Sequence, residues 1–156
     1  MDAPQCRCLI LACGNSLRGD DGLGPWLAQW ARERFRADAG VHVIARLQWT
    51  PELAEEIAAA ESVVFLDASV EAAPGTVRVA PVESAQDAGE VATHHNDAAH
   101  LLQLCCDLYG VAPRSSLLLT VGVGSTELGE GFSEAVAAAL PEACRVLERI
   151  VGELQI

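Results

Sequence analysis

Three short segments of this chain hold residue types that could handle a metal ion. The first, Gly14-Asn15-Ser16-Leu17-Arg18-Gly19-Asp20-Asp21-Gly22-Leu23-Gly24, sets an acidic pair among glycines. The second is Asp67, which ends the apolar run Ser62-Val63-Val64-Phe65-Leu66. The third is Thr93-His94-His95-Asn96. Carboxylates held close together repel unless a proton or a cation resolves the conflict, and a divalent ion does so. Mixed oxygen and nitrogen ligands suit zinc, nickel or another borderline ion better than calcium. Three protein ligands would also leave a position open for water or substrate. Each residue has a plainer reading as well. Asp67 could cap a turn, Asp20 and Asp21 could complement a helix N-terminus, and His94, His95 and His100 could be solvated histidines without a task.

Whether the segments meet depends on the elements that carry them. Arg7 to Cys13 is a short apolar run stopped by Gly14-Asn15, which reads as a buried strand and a turn. Leu23, Trp26, Leu27, Trp30, Ala31 and Phe35 then recur at helical spacing to about residue 37. Pro25 belongs in that helix's first turn, so Asp20 and Asp21 stand at or just before its start. Val41 to Leu47 reads as a second strand. Thr50-Pro51-Glu52 supplies a cap, a first-turn proline and an acid for a helix to about Ala60. Ser62 to Ala68 is a β-branched third strand, and Thr76 to Ala80 alternates as a strand with one polar face. A loop with His94 and His95 leads to a helix from about Asp97 to Tyr109, then a strand from Ser116 to Val123. A last helix runs from Ser133 to Leu154, bent or broken at Pro141.

This order predicts an α/β fold: a single three-layer α/β/α domain over residues 1–156 with a mostly parallel five-stranded sheet. In such sheets functional groups gather beyond the carboxyl ends of the strands. The loops holding Asp21, Asp67 and His95 should therefore share one edge. Trp26 and Trp30 read as core rather than as a substrate platform, and the acidic face of the last helix as a solvated one.

Composition narrows the partners. The chain has 156 residues, a formal charge of −12 and ten basic residues, all of them arginine. A chain this acidic without clustered arginines is a poor match for nucleic acid or anionic lipid, and a basic protein segment would suit it better. No apolar run reaches the roughly 18 residues that a membrane span needs. The N-terminus carries an acid where an export signal has basic residues. The six cysteines lack a C-x-x-C pair, and their spacing suggests reduced thiols in a cytoplasmic protein.

Several catalysts are absent. The chain has no G-x-S-x-G elbow and no H-E-x-x-H helix, and Asp67-Ala68-Ser69 is not an aspartic-protease signature. Its glycine-rich segment has neither G-x-G-x-x-G nor G-K-[ST], which argues against nucleotide binding. A phosphoacceptor receiver domain also places acids after strands one and three. It needs a lysine after its last strand, and this chain contains no lysine.

These segments resemble the hydrogenase maturation proteases. Gly14-Asn15-Ser16-Leu17-Arg18-Gly19-Asp20-Asp21-Gly22-Leu23-Gly24 is similar to the family's G-N-x-L-x-x-D-[DE]-G-x-G signature, and Phe65-Leu66-Asp67-Ala68 to its second segment. Thr93-His94-His95 falls at its histidine loop, and Val121-Gly122-Val123 with Leu140-Pro141-Glu142 resembles its C-terminal part. The chain departs from the family at Arg46-Leu47-Gln48-Trp49-Thr50, where many members have a glycine-containing turn. The resemblance implies metal ligands at Asp21, Asp67 and His95, with His94 the substitute should the loop register shift by one. It implies an endopeptidase that removes the C-terminal extension of a [NiFe] hydrogenase large-subunit precursor after nickel insertion. The divalent metal would then be nickel presented by the substrate. A nickel-recognising chaperone or binding module for the precursor is the alternative.

Overall fold

The computed structural model describes residues 6–84 and 94–155, and for residues 94–96 the backbone alone. Strand β1 (Cys8–Cys13) is buried along its whole length, as is β3 (Ser62–Ser69) apart from its last residue. Such runs fit the interior of a parallel sheet covered on both faces. With β2 (Val41–Arg46), β4 (Val77–Pro81) and β5 (Ser115–Gly122) they form one sheet in the order β2-β1-β3-β5-β4. Four strands run parallel, and β4 pairs antiparallel with β5 at one edge. The expected mostly parallel five-stranded α/β sheet is what the chain builds.

Strand alternation divides the core in two. Cys8, Ile10, Ala12, Val64, Leu66, Leu119 and Val121 pack with helices α1 (Leu23–Arg34) and α4 (Glu134–Leu154). Leu9, Leu11, Val63, Phe65 and Leu118 pack with α2 (Ala54–Ala58) and α3 (His94–Tyr109) on the opposite face. Chain order reverses direction across the sheet between β1 and β3, because β1 leads outward to β2 while β3 continues towards β5. That reversal opens a crevice at the carboxyl ends of β1 and β3, where α/β sheets bind ligands.

Some expectations need correction. The helix expected from Thr50 to about Ala60 is a 3-10 turn, Pro51–Leu53, continued by the short α2, and Thr50 makes no side-chain cap bond. Helix α1 ends at Arg34. Its fully buried residues include Leu23, Leu27, Ala28 and Ala31, while Trp26 is 39% exposed, edge-on to Phe132, and Trp30 is half-buried beside Phe35. The two tryptophans therefore flank the core. Helix α4 runs unbroken through Pro141. Pro141 and Ala137 are both exposed, so the carbonyl that a proline deprives of its helical donor lies on the water side. Burial of Val136, Ala139, Ala143, Leu147 and Ile150 holds the helix together across that gap. Helix α3 starts at His94, so the backbone of His94, His95 and Asn96 is its first turn and not a preceding loop. Among the described residues no helix is long and apolar enough to cross a membrane.

Candidate active site at the carboxyl edge of β1 and β3

The site begins with the strand period. On the face covered by α2 and α3, β1 reads Leu9, Leu11, Cys13 and β3 reads Val63, Phe65, Asp67. Adjacent strands in register put Cys13 beside Asp67, and Thr120 of β5 pairs with Asp67 on the other side. At the carboxyl edge the apolar columns are thus replaced by a thiol, a carboxylate and a hydroxyl. Asp67 is 2% exposed, and its Oδ1 accepts the backbone N–H of Ala68 at 2.8 Å.

Cys13 marks where the acids converge. Burial pushes its thiol pKa up, and the Asp67 carboxylate adds to this through its charge and through a hydrogen bond from the thiol. The charges of Asp21 and Asp97 act in the same direction. Acids from the β1–α1 segment, from β3 and from the first turns of α3 therefore all bear on one buried sulfur. Neither Cys13 nor Asp97 stood out in the sequence as a site residue. Counting the strand period on from Leu9 and Leu11 would have placed Cys13 on this face.

The acidic pair after β1 splits. Asp20 and Asp21 lie in a 3-10 turn, Gly19–Gly22, immediately before α1, as Pro25 required. Asp21 is partly exposed, and its Oδ2 accepts the Asn15 N–H at 2.8 Å. Gly14 makes the bend possible. It has φ of 145°, and a Cβ there would stand 2.1 Å from the Asp21 carbonyl oxygen. Asp20 is fully buried and points the other way in function. It accepts the backbone N–H groups of Gly124, Ser125 and Ser133 and the Ser133 hydroxyl at 2.6 to 3.1 Å. Burial raises its pKa, but the Ser133 hydroxyl and these N–H groups outweigh burial and hold it below the ordinary carboxylate value. Asp20 is the lock that ties the start of α1 to the β5–α4 connection.

The structure puts Cys13 in contact with Asp67, leaves Asp21 and Asp97 near enough for their charges to act on that thiol, and turns Asp20 towards Gly124, Ser125 and Ser133. The side chains of His95 and His94 lie outside the described residues, although the helix they begin carries Asp97 and His100. Among the described residues, no three His, Cys, Asp or Glu side chains group as a metal site. Asp21 and Asp67 have the donor chemistry for a borderline divalent ion, which a histidine nitrogen would complete. Next to them a cleft of about 490 Å³ runs between the 47–51 segment and α3, with Cys13, Gln48, Trp49, Asp97 and His100 in its wall. All six cysteines are free thiols, four of them buried.

No family model and no curated protein matches this chain. Solved structures do match it. It is similar to the hydrogenase maturating endopeptidase HybD from E. coli, with 24% identity, a TM-score of 0.76, and coverage of 94% of this chain and 93% of that one. It is similar to the [NiFe] hydrogenase maturation protease HybD from Thermococcus kodakarensis, with 27% identity, a TM-score of 0.68, and coverage of 92% and 98%. The [NiFe] hydrogenase maturation protease HycI from Thermococcus kodakarensis KOD1 gives 28% identity and a TM-score of 0.66 over 96% of this chain and 92% of that one. In fold, and over nearly its whole length, the chain groups with the hydrogenase maturation endopeptidases, as its motifs implied.

Proposed function

We propose that this protein is an endopeptidase that removes the C-terminal extension of a [NiFe] hydrogenase large-subunit precursor after nickel has been inserted. The observation that carries this reading is the buried Asp67, hydrogen-bonded by Cys13, at the β1/β3 crevice of a fold shared with named hydrogenase maturation proteases, with Asp21 near enough for its charge to act on the same thiol. The reaction is hydrolysis of one peptide bond, water supplying the hydroxyl to the acyl carbon and a proton to the released amine. Asp21, Asp67 and His95 engage nickel held by the precursor, so that the ion arrives as part of the substrate. The carboxylates supply hard, anionic donors and the imidazole a borderline nitrogen, a set that fits nickel. Cleavage then depends on a loaded precursor, and the enzyme cuts only after metal insertion. The partner is that precursor, with neither nucleic acid nor membrane involved. The free, mostly buried thiols support a cytoplasmic setting.

The test is a cleavage assay with purified precursor, nickel-free and nickel-loaded, against Asp21→Ala, Asp67→Ala and His95→Ala. Cutting of the loaded form alone, lost in each variant while precursor binding persists, is the expected result. Equal cutting of both forms would refute the checkpoint, and intact processing in all three variants would refute the site.

A further inference from the structure

A second feature of the carboxyl edge lies outside the metal site. There the β5–α4 connection is stitched to the β1–α1 segment. The N–H of Gly129 donates to the Leu17 carbonyl at 2.8 Å, and its carbonyl accepts the Gly19 N–H at 2.7 Å, which makes a parallel bridge with Arg18 opposite Gly129. In that register Leu17 stands opposite Leu128, and residues opposite one another in a parallel pairing send their side chains to the same side. Both side chains are in water, Leu17 at 57% exposure and Leu128 at 79%. The backbone beneath them is held, because Asp20 ties the same connection down through Gly124, Ser125 and Ser133. Single exposed leucines are ordinary, but two held side by side on a fixed backbone form an apolar patch of the kind that partners cover. A groove of about 290 Å³ continues the patch, with Glu127, Leu128, Glu130 and Phe132 in its wall.

The charge around the patch selects the partner. Glu127 and Glu130 are exposed on either side of Leu128, and Arg18, the one basic residue within 14–22 and 123–133, donates to the Thr126 carbonyl at 3.4 Å. A second copy seated on the same face would bring four glutamates together between two chains of formal charge −12, so like charge opposes it. A surface with an apolar centre and basic side chains around it suits both the leucines and the glutamates. The patch also adjoins the metal site. Asn15 accepts the Leu17 N–H on its Oδ1 at 2.9 Å and donates its own N–H to Asp21 Oδ2 at 2.8 Å, so a partner seated on Leu17 stands beside Asp21.

On the reading that this chain processes a hydrogenase precursor, we infer that the face bearing Leu17 and Leu128 is the docking surface for the folded body of that precursor, whose matching surface is apolar at its centre and basic at its fringe. The contact lies outside Asp21, Asp67 and His95, so it forms with or without nickel. Docking supplies affinity, and the metal site supplies the decision to cut.

The double substitution Leu17→Ser/Leu128→Ser removes the apolar centre without touching the core. Titration calorimetry of nickel-free precursor reads docking in the absence of cleavage. Relative to the wild-type protein, Kd weakens about tenfold to a hundredfold in the double variant, the range for two leucines each worth up to about tenfold. The melting temperature stays at the wild-type value, because neither side chain is buried in the free protein. An equal Kd overturns the inference, as does absence of binding by the wild-type protein or a fall in melting temperature that accompanies the weakened Kd. Glu127→Lys weakens Kd about threefold to tenfold at low salt and flattens its dependence on ionic strength, and an unchanged or tighter complex overturns the basic fringe. A wild-type dimer in sedimentation that the double variant disperses assigns the face to a second copy and also overturns the inference. Cleavage of nickel-loaded precursor tests the proteolytic reading separately. Precursor bound but never cut rejects the protease, while a weakened Kd in the double variant upholds the docking surface. Cutting with equal Kd in both proteins keeps the protease and rejects the surface.

Discussion

Asp20 and Asp21 are neighbours in the chain with opposite surroundings. Asp20 is fully buried and collects four donors from the β5–α4 side, so both of its oxygens are committed. Asp21 is partly exposed and takes one backbone N–H, from Asn15, with its charge felt at Cys13. A carboxylate saturated by buried donors stabilises a fold, and one that keeps coordination capacity at a crevice serves chemistry. Adjacent residues in a 3-10 turn point in different directions, so one short segment supplies the Asp20 lock and, on the proposed reading, a metal ligand at Asp21.

The sharpest break of this comparison exchanges each acid for alanine. Asp21→Ala should reduce precursor processing on the order of a hundredfold while leaving the melting temperature near that of the wild-type protein. Asp20→Ala should do the reverse. It orphans buried N–H groups of Gly124, Ser125 and Ser133 and costs roughly 3 kcal/mol, or about 6 to 12 °C in thermal unfolding. Processing by its folded fraction should persist. If Asp20→Ala is as stable as the wild-type protein but inactive, the roles have been exchanged.

A smaller effect is pH-dependent. The folded-state pKa of Asp20 is lowered, so the unfolded state binds its proton first as pH falls. Its stabilisation is complete above the unfolded carboxylate value of about 3.9 and is lost as pH falls through the lower folded value. Denaturant titrations between about pH 5 and 2 should therefore show a shallower acid limb for Asp20→Asn than for the wild-type protein. Parallel limbs would mean that Asp20 contributes nothing to the acid transition.

The smallest effect concerns Cys13. Cys13→Ala removes the thiol donor from Asp67 and should slow processing by about three- to tenfold. The same environment protects the sulfur. Burial and the neighbouring acids favour the protonated thiol, so iodoacetamide at pH 8 should modify exposed Cys106 well before Cys13, as peptide mass mapping would show. Equal labelling rates would argue against a buried, acid-flanked Cys13.

Much of the fold was legible in the sequence because short apolar runs bounded by turn residues alternate with segments of helical period. The short, turn-bounded apolar runs at β1 and β3 read as buried strands, and Pro25 pointed to where α1 starts. The 50–60 segment was less legible, since its 3-10 turn and short α2 share the alanine-rich composition of a longer helix. At Pro141 tertiary burial overrode a local helix breaker. The start of α3 was misplaced because polar residues such as His94, His95 and Asn96 fit a loop or a first helical turn equally well.

The sequence by itself determined the residue types for the chemistry, the alternation of elements, and the glycine at 14 that lets the chain turn back on itself. Only the tertiary structure decided which acid of the pair is a lock, because the donors to Asp20 come from Gly124, Ser125 and Ser133, over a hundred residues away. It also decided that Cys13 belongs beside Asp67. Strand register and sheet order are set by which faces bury together, and local sequence does not encode that distance.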